Sequence, residues 1–196
     1  MAIPTDQIQP LLIVLSGPSG VGKDAILTEL KKLLGNCLFT VTATTRKIRP
    51  GENNGKDYIF LTTKEFKEAI NAKEFIEWSE VYGNFYGVPR DQIDEALDNG
   101  KDAIVKIDVQ GAKTIKQLNL PTIFIFISPP SKSELHDRLK RRMTETPETL
   151  ELRLDTAISE MAESVWFDHE VINHTGQLRH TAEQISNIIK KGPETN

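Results

Sequence analysis

The sequence predicts an α/β fold built on a parallel sheet, and two observations carry this prediction. The chain alternates short apolar runs with segments of helical periodicity, as in 11–15 followed by 25–34. This alternation is typical of βαβ units. The runs 102–107 and 122–127 are apolar almost throughout, which is typical of parallel strands covered by helices on both faces.

The elements of this core can be placed in chain order. A capping-box spacing of Ser131 and Glu134 marks the start of one helix, and Pro147 suits the first position of the next. The other predicted elements are strands at 11–15, 102–107, 122–127 and 167–173, and helices at 25–34, 110–118 and 181–190.

The pattern changes between residues 39 and 86. Short alternating strands are predicted at 58–61 and 75–78, and 62–65 cap a helix between them. We interpret this stretch as a small α+β insertion that closes over a ligand.

Composition narrows the class of protein. The chain has 196 residues, 24 Lys and Arg against 28 Asp and Glu, and a net charge of −4. The length suits one domain with its own core, and a mild acidic excess argues against nucleic-acid or membrane binding. Cys37 is the only cysteine, so a reduced, cytoplasmic setting is expected. The early apolar run 11–15 is too short for a signal peptide or a membrane span.

The strongest local motif follows the first predicted strand. Residues 17–23 read GPSGVGK, a phosphate-loop pattern. Its backbone N–H groups and the following helix end can hold an anion, and Lys23 can reach β- and γ-phosphates. The candidate nucleotide-binding residues here, which bind ATP if the resemblance described below holds, are Gly17, Pro18, Ser19, Gly20, Val21, Gly22, Lys23 and Asp24. The loop alone leaves ATPases, GTPases and many kinases open.

Asp24 breaks the pattern, because a Ser or Thr whose hydroxyl ligates Mg²⁺ usually stands there. Its carboxylate is a candidate metal ligand, since hard cations bind such oxygens. The alternative is an acid that stabilises the helix N-terminus through the helix dipole. Both interpretations stay open.

A second anion site is predicted in 42–58. This glycine-rich segment contains Arg46, Arg49 and several hydroxyl groups. The guanidinium fork of arginine matches phosphate oxygens. Two phosphate sites suggest a phosphoryl donor and an acceptor.

At this point the sequence closely resembles guanylate kinase, over nearly its whole length. The resemblance implies a P-loop kinase with a core (1–38, 89–134 and 160–196), a GMP-binding lobe (39–88) and a helical lid (about 135–159). The matching segments are the 17–23 loop, 44–46, 55–58, 75–78, 83–87, 107–111 and 142–145.

The resemblance also implies transfer of the γ-phosphate of ATP to GMP, with Mg²⁺ accompanying ATP. Thr42 and Glu77 would hold the guanine. A carboxylate can accept hydrogen bonds from guanine N1–H and the 2-amino group, whereas adenine N1 would repel it. The residues implied to hold the GMP phosphate are Arg46, Arg49, Tyr58 and Tyr86.

Further roles come from the same resemblance. Lid arginines, here Arg138, Arg142 and Arg153, would stabilise charge on the transferred group. Asn173 would lie near adenine. Asp108 would lie near Mg²⁺ and GMP, or alternatively cap a strand end. With Lys23 and Arg46, these arginines and Asp108 are the candidate catalytic residues.

Four residues depart from the family pattern: Asp24, Lys106 in place of an acid, Val88 in place of Ser or Thr near the base, and Met143 in place of a lid glycine. We hypothesise that Asp24 replaces the acid lost at 106 and pairs with Lys106. Loss of a hydroxyl at Val88 would leave selectivity more dependent on Glu77 and Thr42.

Two other functions remain open: a kinase of ribose 1,5-bisphosphate, and a non-catalytic guanylate-kinase-like interaction domain. The 46–58 block disfavours the first, and the intact Lys23 loop disfavours the second. The expected partners are ATP and GMP, without nucleic acid or membrane, and the expected state is a monomer or a homodimer. Segments 40–56 and 132–142 hold nine basic residues and three acids within this net acidic chain, which fits small anionic ligands.

Overall fold

The computed structural model describes residues 9–140 and 147–193. These residues form two sheets with helices packed around them. The strands are β1 (Leu12–Ser16), β2 (Cys37–Phe39), β3 (Ala43–Thr44), β4 (Ile59–Phe60), β5 (Phe75–Val81), β6 (Asn84–Pro89), β7 (Asp102–Lys106), β8 (Thr122–Ser128) and β9 (His169–Ile172). The helices are α1 (Lys23–Leu33), α2 (Thr63–Asn71), α3 (Arg90–Asp98), α4 (Val109–Lys116), α5 (Lys132–Lys140), α6 (Pro147–Ala162) and α7 (Leu178–Lys191), with a 3-10 turn at Glu163–Trp166.

The larger sheet has the strand order β2-β7-β1-β8-β9, and all its pairs are parallel. β1 lies at its centre, between β7 and β8. All five residues of β1 are buried, because side chains of successive residues face opposite sides of the sheet and both sides are covered.

Each face of this sheet has its own apolar core. On one face, Ile13 and Leu15 pack with residues of α1 and α7, such as Ile26 and Ile185. On the other, Leu12 and Val14 pack with residues of α3 and α4. The result is a three-layer sandwich with its parallel strands in the middle.

The smaller sheet has the order β4-β3-β6-β5 and mixes parallel and antiparallel pairs. We call this sheet, together with α2 and the loops that join its strands, the lobe. Its core centres on Phe66 of α2, whose ring stacks on Phe75 and Phe85 with centroids 4.5 and 5.4 Å apart. Thr62 and Glu65 form the predicted capping box at the start of α2.

α5 and α6 pack on each other through Leu135, Leu139 and Ala157, all buried. Ser131 accepts the Glu134 N–H at 3.1 Å. The reciprocal half of the predicted capping box is absent, because the Glu134 carboxylate instead binds Arg138 and Thr175. The bond from the Glu134 N–H to Ser131 is enough to start α5 at Lys132, where the spacing predicts it.

The predicted parallel α/β core is confirmed, with strand and helix ends shifted by a few residues. Pro147 begins α6, as predicted. Sequence patterning missed β2, β3, β6 and α3, and three of these are short or belong to the small mixed sheet. The domain boundaries at 38, 88, 134 and 159 remain predictions.

No helix among residues 9–140 and 147–193 is long and apolar enough to cross a membrane.

The lobe core predicts a sharp response to one added methyl group. A Cβ on Gly87 would lie 2.9 Å from the Phe75 ring and 3.0 Å from Phe66 Cζ. We expect Gly87→Ala to lower the free energy of unfolding by about 1–3 kcal/mol, because both rings are locked by stacking. Urea unfolding measures this change.

Gly35→Ala is the matched control, since a Cβ at Gly35 meets nothing within 4 Å. The control should change the free energy of unfolding by less than about 1 kcal/mol, in the stabilising direction. Equal effects of the two variants would contradict this account of the lobe.

Candidate active site

One cavity opens where the carboxyl ends of β1 and β7 face the lobe and α6. Ligands of open parallel sheets bind at this edge. The cavity collects most of the residues singled out in the sequence: Pro18, Ser19, Gly20, Val21, Gly22, Lys23, Asp24, Thr42, Arg46, Arg49, Tyr58, Glu77, Tyr86, Asp108 and Arg153.

The phosphate loop connects β1 to α1, as predicted. Gly17 begins it with a φ of +144°, and a Cβ there would lie 2.2 Å from the Ile127 carbonyl oxygen on β8. Only glycine combines that conformation with so close an approach. α1 then begins at Lys23, so its N-terminal N–H groups point into the cavity edge.

Lys23 is folded onto its own loop. Its ammonium donates to the carbonyl oxygens of Gly17 and of Pro18, the latter at 3.2 Å. Burial lowers the pKa of Lys23, and the nearby carboxylate of Glu160 opposes that shift. The loop thus holds its cation near the place where an anion would sit.

Glu160 is a site residue that sequence reasoning missed. Its carboxylate accepts the N–H of Ser19 at 3.2 Å and lines the cavity. Burial raises its pKa, against the opposing effect of Lys23. A signal did exist in the sequence: Glu160 follows Arg153 by seven residues, two helical turns, so both lie on one face of α6.

The second predicted phosphate site lies across the cavity, on the lobe. Arg46 makes a two-pronged contact with Glu52, at 2.9 and 3.0 Å. Its guanidinium also lies over the ring of Tyr58, 5.0 Å from the centroid. Tyr86 packs edge-on against Tyr58, and Arg49 lines the same cavity.

Asp24 and Lys106 form the ion pair that the sequence hypothesis predicted. The same Lys106 ammonium donates to the Tyr58 hydroxyl at 2.8 Å. Burial opposes the charge on Lys106, but Tyr58 and Asp24 together raise its pKa above the ordinary value. This lysine therefore connects the phosphate loop with the second phosphate site.

Glu77 lies deep in the cavity wall and is 3% exposed. Burial, reinforced by Asp108, raises its pKa to about 8. Its Oε2 is buried and has no hydrogen-bond partner among the described residues. Val88 lies directly opposite on β6 and is fully buried, so the neighbouring strand supplies no hydroxyl there. A buried carboxylate oxygen without a donor is costly and is suited to a ligand's N–H groups.

Asp108 lies at the cavity and caps a helix, not a strand end, and its place near Mg²⁺ and GMP stays a prediction. It caps α4 by accepting the Gly111 N–H at 2.8 Å, and it lines the cavity. Its second oxygen accepts the Ser79 hydroxyl at 2.7 Å. Ser79, which sequence reasoning missed, follows Glu77 by two residues and therefore shares its face of β5.

Thr42 is 5% exposed and donates weakly to the Lys106 carbonyl at 3.4 Å. It lines the cavity with Glu77. The predicted base-binding pair is thus brought to one cavity.

The predicted lid arginines separate in the structure. Arg153 lines the cavity and lies over the Tyr82 ring, 4.9 Å from its centroid. Arg138 instead binds the backbone oxygens of Val21 and Asn173, at 3.2 and 2.7 Å, and does not line the cavity. Arg142 and Met143 lie outside the described residues.

Asn173 is buried behind the phosphate loop. Its amide donates to the Val21 carbonyl at 2.7 Å and accepts from Thr181 at 3.2 Å. With Arg138 it holds the phosphate loop from behind, and it does not line the cavity described above. Its predicted place beside adenine stays a prediction.

Comparison with known proteins gives a consistent picture. A family model described as guanylate kinase matches residues 9–192. The chain is 43% identical over 179 residues to guanylate kinase of Clostridium tetani, covering 91% of this chain and 85% of that protein. It is 42% identical over 182 residues to guanylate kinase 2, chloroplastic/mitochondrial, of Oryza sativa subsp. japonica, covering 92% of this chain and 64% of that protein.

A solved structure agrees with this relationship. The crystal structure of guanylate kinase from Anaplasma phagocytophilum superposes with a TM-score of 0.74 at 36% identity, covering 93% of this chain and 85% of that one. Sequence, fold and cavity therefore lead to one conclusion: the chain belongs to the guanylate kinase family.

Proposed function

We propose that this chain transfers the γ-phosphate of ATP to GMP, giving ADP and GDP. One observation carries the proposal: a single cavity has the Lys23 phosphate loop on one side and Arg46, Tyr58 and the buried Glu77 on the other. Family membership and the guanylate kinases at about 40% identity support it. The first phosphate site takes the donor, and the second takes the acceptor.

Base selection follows from Glu77. In its charged form the carboxylate accepts the N1–H and 2-amino groups of guanine, which gives Oε2 the partner it otherwise lacks. Adenine offers an acceptor at N1, so the charged form of Glu77 repels it and rejects it. Thr42 supplies a hydroxyl beside it.

Phosphoryl transfer then depends on position and charge. A GMP phosphate oxygen held by Arg46, Arg49, Tyr58 and Tyr86 attacks the γ-phosphorus in line, and the bond to the β-phosphate oxygen breaks. Lys23 and Arg153 stabilise the charge that develops on the transferred group. No covalent intermediate on the protein is needed, since positioning supplies most of the acceleration.

The residues present fit a Mg²⁺ ion that arrives with ATP. Asp24 follows Lys23 directly, and its carboxylate, which also binds Lys106, belongs to a side chain that is 68% exposed. Mg²⁺ in such sites takes one or two carboxylates and completes its shell with phosphate oxygens and water. When bound, the ion would neutralise charge on the β- and γ-phosphates. Asp24 is the residue of this chain that we propose to hold it.

The two alternative functions, a ribose 1,5-bisphosphate kinase and a non-catalytic interaction domain, account for fewer features of the cavity. Ribose 1,5-bisphosphate has no base, so it would leave Oε2 of Glu77 without a partner. A purely binding domain gives no reason for an ordered Lys23 loop facing a second arginine site. A cytoplasmic location and a monomeric or homodimeric state stay predictions.

A coupled assay of ADP release tests the function directly. We expect turnover with GMP, at least about a hundredfold lower kcat/KM with AMP, and none with ribose 1,5-bisphosphate. IMP, which keeps N1–H but lacks the 2-amino group, should lie between GMP and AMP. Absence of turnover with GMP would refute the proposal.

Glu77 should make GMP binding depend on pH. With its pKa raised to about 8 by burial and Asp108, the group is mostly protonated at pH 7 in the free enzyme. Because guanine binds the charged form, GMP affinity should rise as the pH rises from 6 to 8, with proton release on binding. Calorimetry at pH 7 in buffers of different ionisation enthalpy counts that proton.

Glu77→Gln is the control, because ionisation of the GMP phosphate is common to both proteins. The variant should bind GMP roughly tenfold or more weakly, and it should lack the proton release that Glu77 causes. Identical proton release from the two proteins would contradict this role of Glu77.

Glu160 should oppose ATP binding. Its carboxylate accepts the Ser19 N–H that the phosphate loop would offer to ATP. We expect Glu160→Gln to bind ATP several-fold more tightly at neutral pH, because a like charge beside the phosphates is removed. Calorimetric titration with ATP in the absence of GMP measures it.

Asp155→Asn is the matched control for that variant. Asp155 is an exposed acid on the same helix, so its neutralisation changes net charge equally without touching the loop. The control should leave ATP affinity within about twofold. Equal gains in both variants would point to a net-charge effect and contradict the contact argument.

A further inference from the structure

Lys106 lies at the end of β7 with a firmly held stem. The strand pairs Lys106 with Leu15 of β1, and the side chain is 12% exposed. A lysine buried at the end of a central strand needs partners for its charge. Those partners are Asp24 at the phosphate loop and Tyr58 on the lobe.

The direction of the hydrogen bond to Tyr58 is fixed by chemistry. An ammonium group can only donate, so the Tyr58 oxygen accepts the bond from Lys106. The hydroxyl hydrogen of Tyr58 must then point elsewhere. A donor bonded to a hydroxyl oxygen also polarises that hydroxyl and strengthens the bond it makes itself.

Two cations contact the Tyr58 ring. Lys106 Nζ lies 4.3 Å from the ring centroid, and the Arg46 guanidinium lies 5.0 Å from it. Each cation is in turn held by an acid: Asp24 binds Lys106, and Glu52 binds Arg46. The Tyr58 ring is thereby placed beside the arginine that we assign to the acceptor phosphate, with its hydroxyl bonded to Lys106.

We propose that Lys106 is a positioning residue of the acceptor site: its ammonium, held by Asp24, fixes the Tyr58 hydroxyl as a hydrogen-bond donor to the phosphate of GMP. This inference rests on the proposed function, since it takes GMP as the acceptor. In this proposal the Asp24–Lys106 pair orients the Tyr58 hydroxyl in addition to balancing charge. The phosphate loop and the acceptor site share one ion pair.

A double-mutant cycle on GMP binding tests the inference in the full chain without ATP. We expect Lys106→Met to weaken GMP binding about tenfold when Tyr58 is present. In the Tyr58→Phe background the same substitution should change binding by less than about twofold, because there is no hydroxyl left to orient. Isothermal titration with GMP gives the four dissociation constants.

The matched control is Lys101→Met. Lys101 is an exposed lysine that immediately precedes β7, at the opposite end of the strand from Lys106. This substitution should leave the GMP affinity of each background unchanged. Thermal unfolding of each variant checks that it is folded.

Asp24→Asn provides a second cycle if Lys106→Met does not fold. Asp24 is 68% exposed, so Asn fits in its place, and thermal unfolding checks that this variant is folded. We expect a several-fold loss of GMP affinity with Tyr58 present and little loss in Tyr58→Phe.

Two results overturn the inference and are distinguishable. Wild-type protein that does not bind GMP refutes the proposed function and this inference with it. If the wild-type protein binds GMP but Lys106→Met lowers GMP affinity by the same factor with Tyr58 and in Tyr58→Phe, the proposed function stands and the role of Lys106 is refuted. A loss confined to the Tyr58 background supports it.

Discussion

A phosphate-binding cavity must hold several cations close together before any phosphate arrives. In this protein each of these cations has a carboxylate nearby that offsets their mutual repulsion. Arg46 is paired with Glu52, and Lys106 with Asp24. Lys23 has Glu160 nearby, bound to the adjacent loop N–H. Without such neighbours, mutual repulsion and burial would lower the pKa values of these cations. The acids oppose that shift: the pKa values of Arg46 and Lys106 are raised, and Glu160 opposes the lowering of the pKa of Lys23 by burial.

The fold supplies these pairs from distant parts of the chain. The acids and cations come from the phosphate loop, the end of β7, the lobe and α6, which meet only because parallel strands end at one edge of the sheet. Central β1 sets that edge, since its neighbours β7 and β8 carry Lys106 and the Ile127 carbonyl that shapes Gly17. Packing on both faces of β1 therefore fixes the geometry of the cavity.

The sequence predicts the local part of this arrangement well. The phosphate loop is contiguous, and its flanking strand and helix have strong periodicity. The Asp24–Lys106 pair was predictable because two unusual residues had opposite charges. The contact of Glu160 with the loop was not, since Ser19 lies 141 residues away, and the spacing from Arg153 places Glu160 only on a face of α6. Arg138 was expected at the transferred phosphoryl group from the family resemblance, yet in this structure its guanidinium binds the backbone oxygens of Val21 and Asn173.

Glu77 differs from the other acids of the cavity because one of its oxygens has no partner among the described residues. This difference separates selection of the base from binding of the phosphates. Glu52 and Glu160 bind groups that a phosphate would bind, the Arg46 guanidinium and the Ser19 N–H, so a phosphate that gains these contacts must displace an acid. Phosphate binding is therefore an exchange of anions, which moderates affinity for any phosphate. Oε2 of Glu77 has no partner to displace among the described residues. A ligand that donates to it relieves the cost of a buried unsatisfied oxygen, of the order of 1–3 kcal/mol. A ligand that cannot donate leaves that cost in place, so discrimination between ligands falls on the base and not on the phosphate they share.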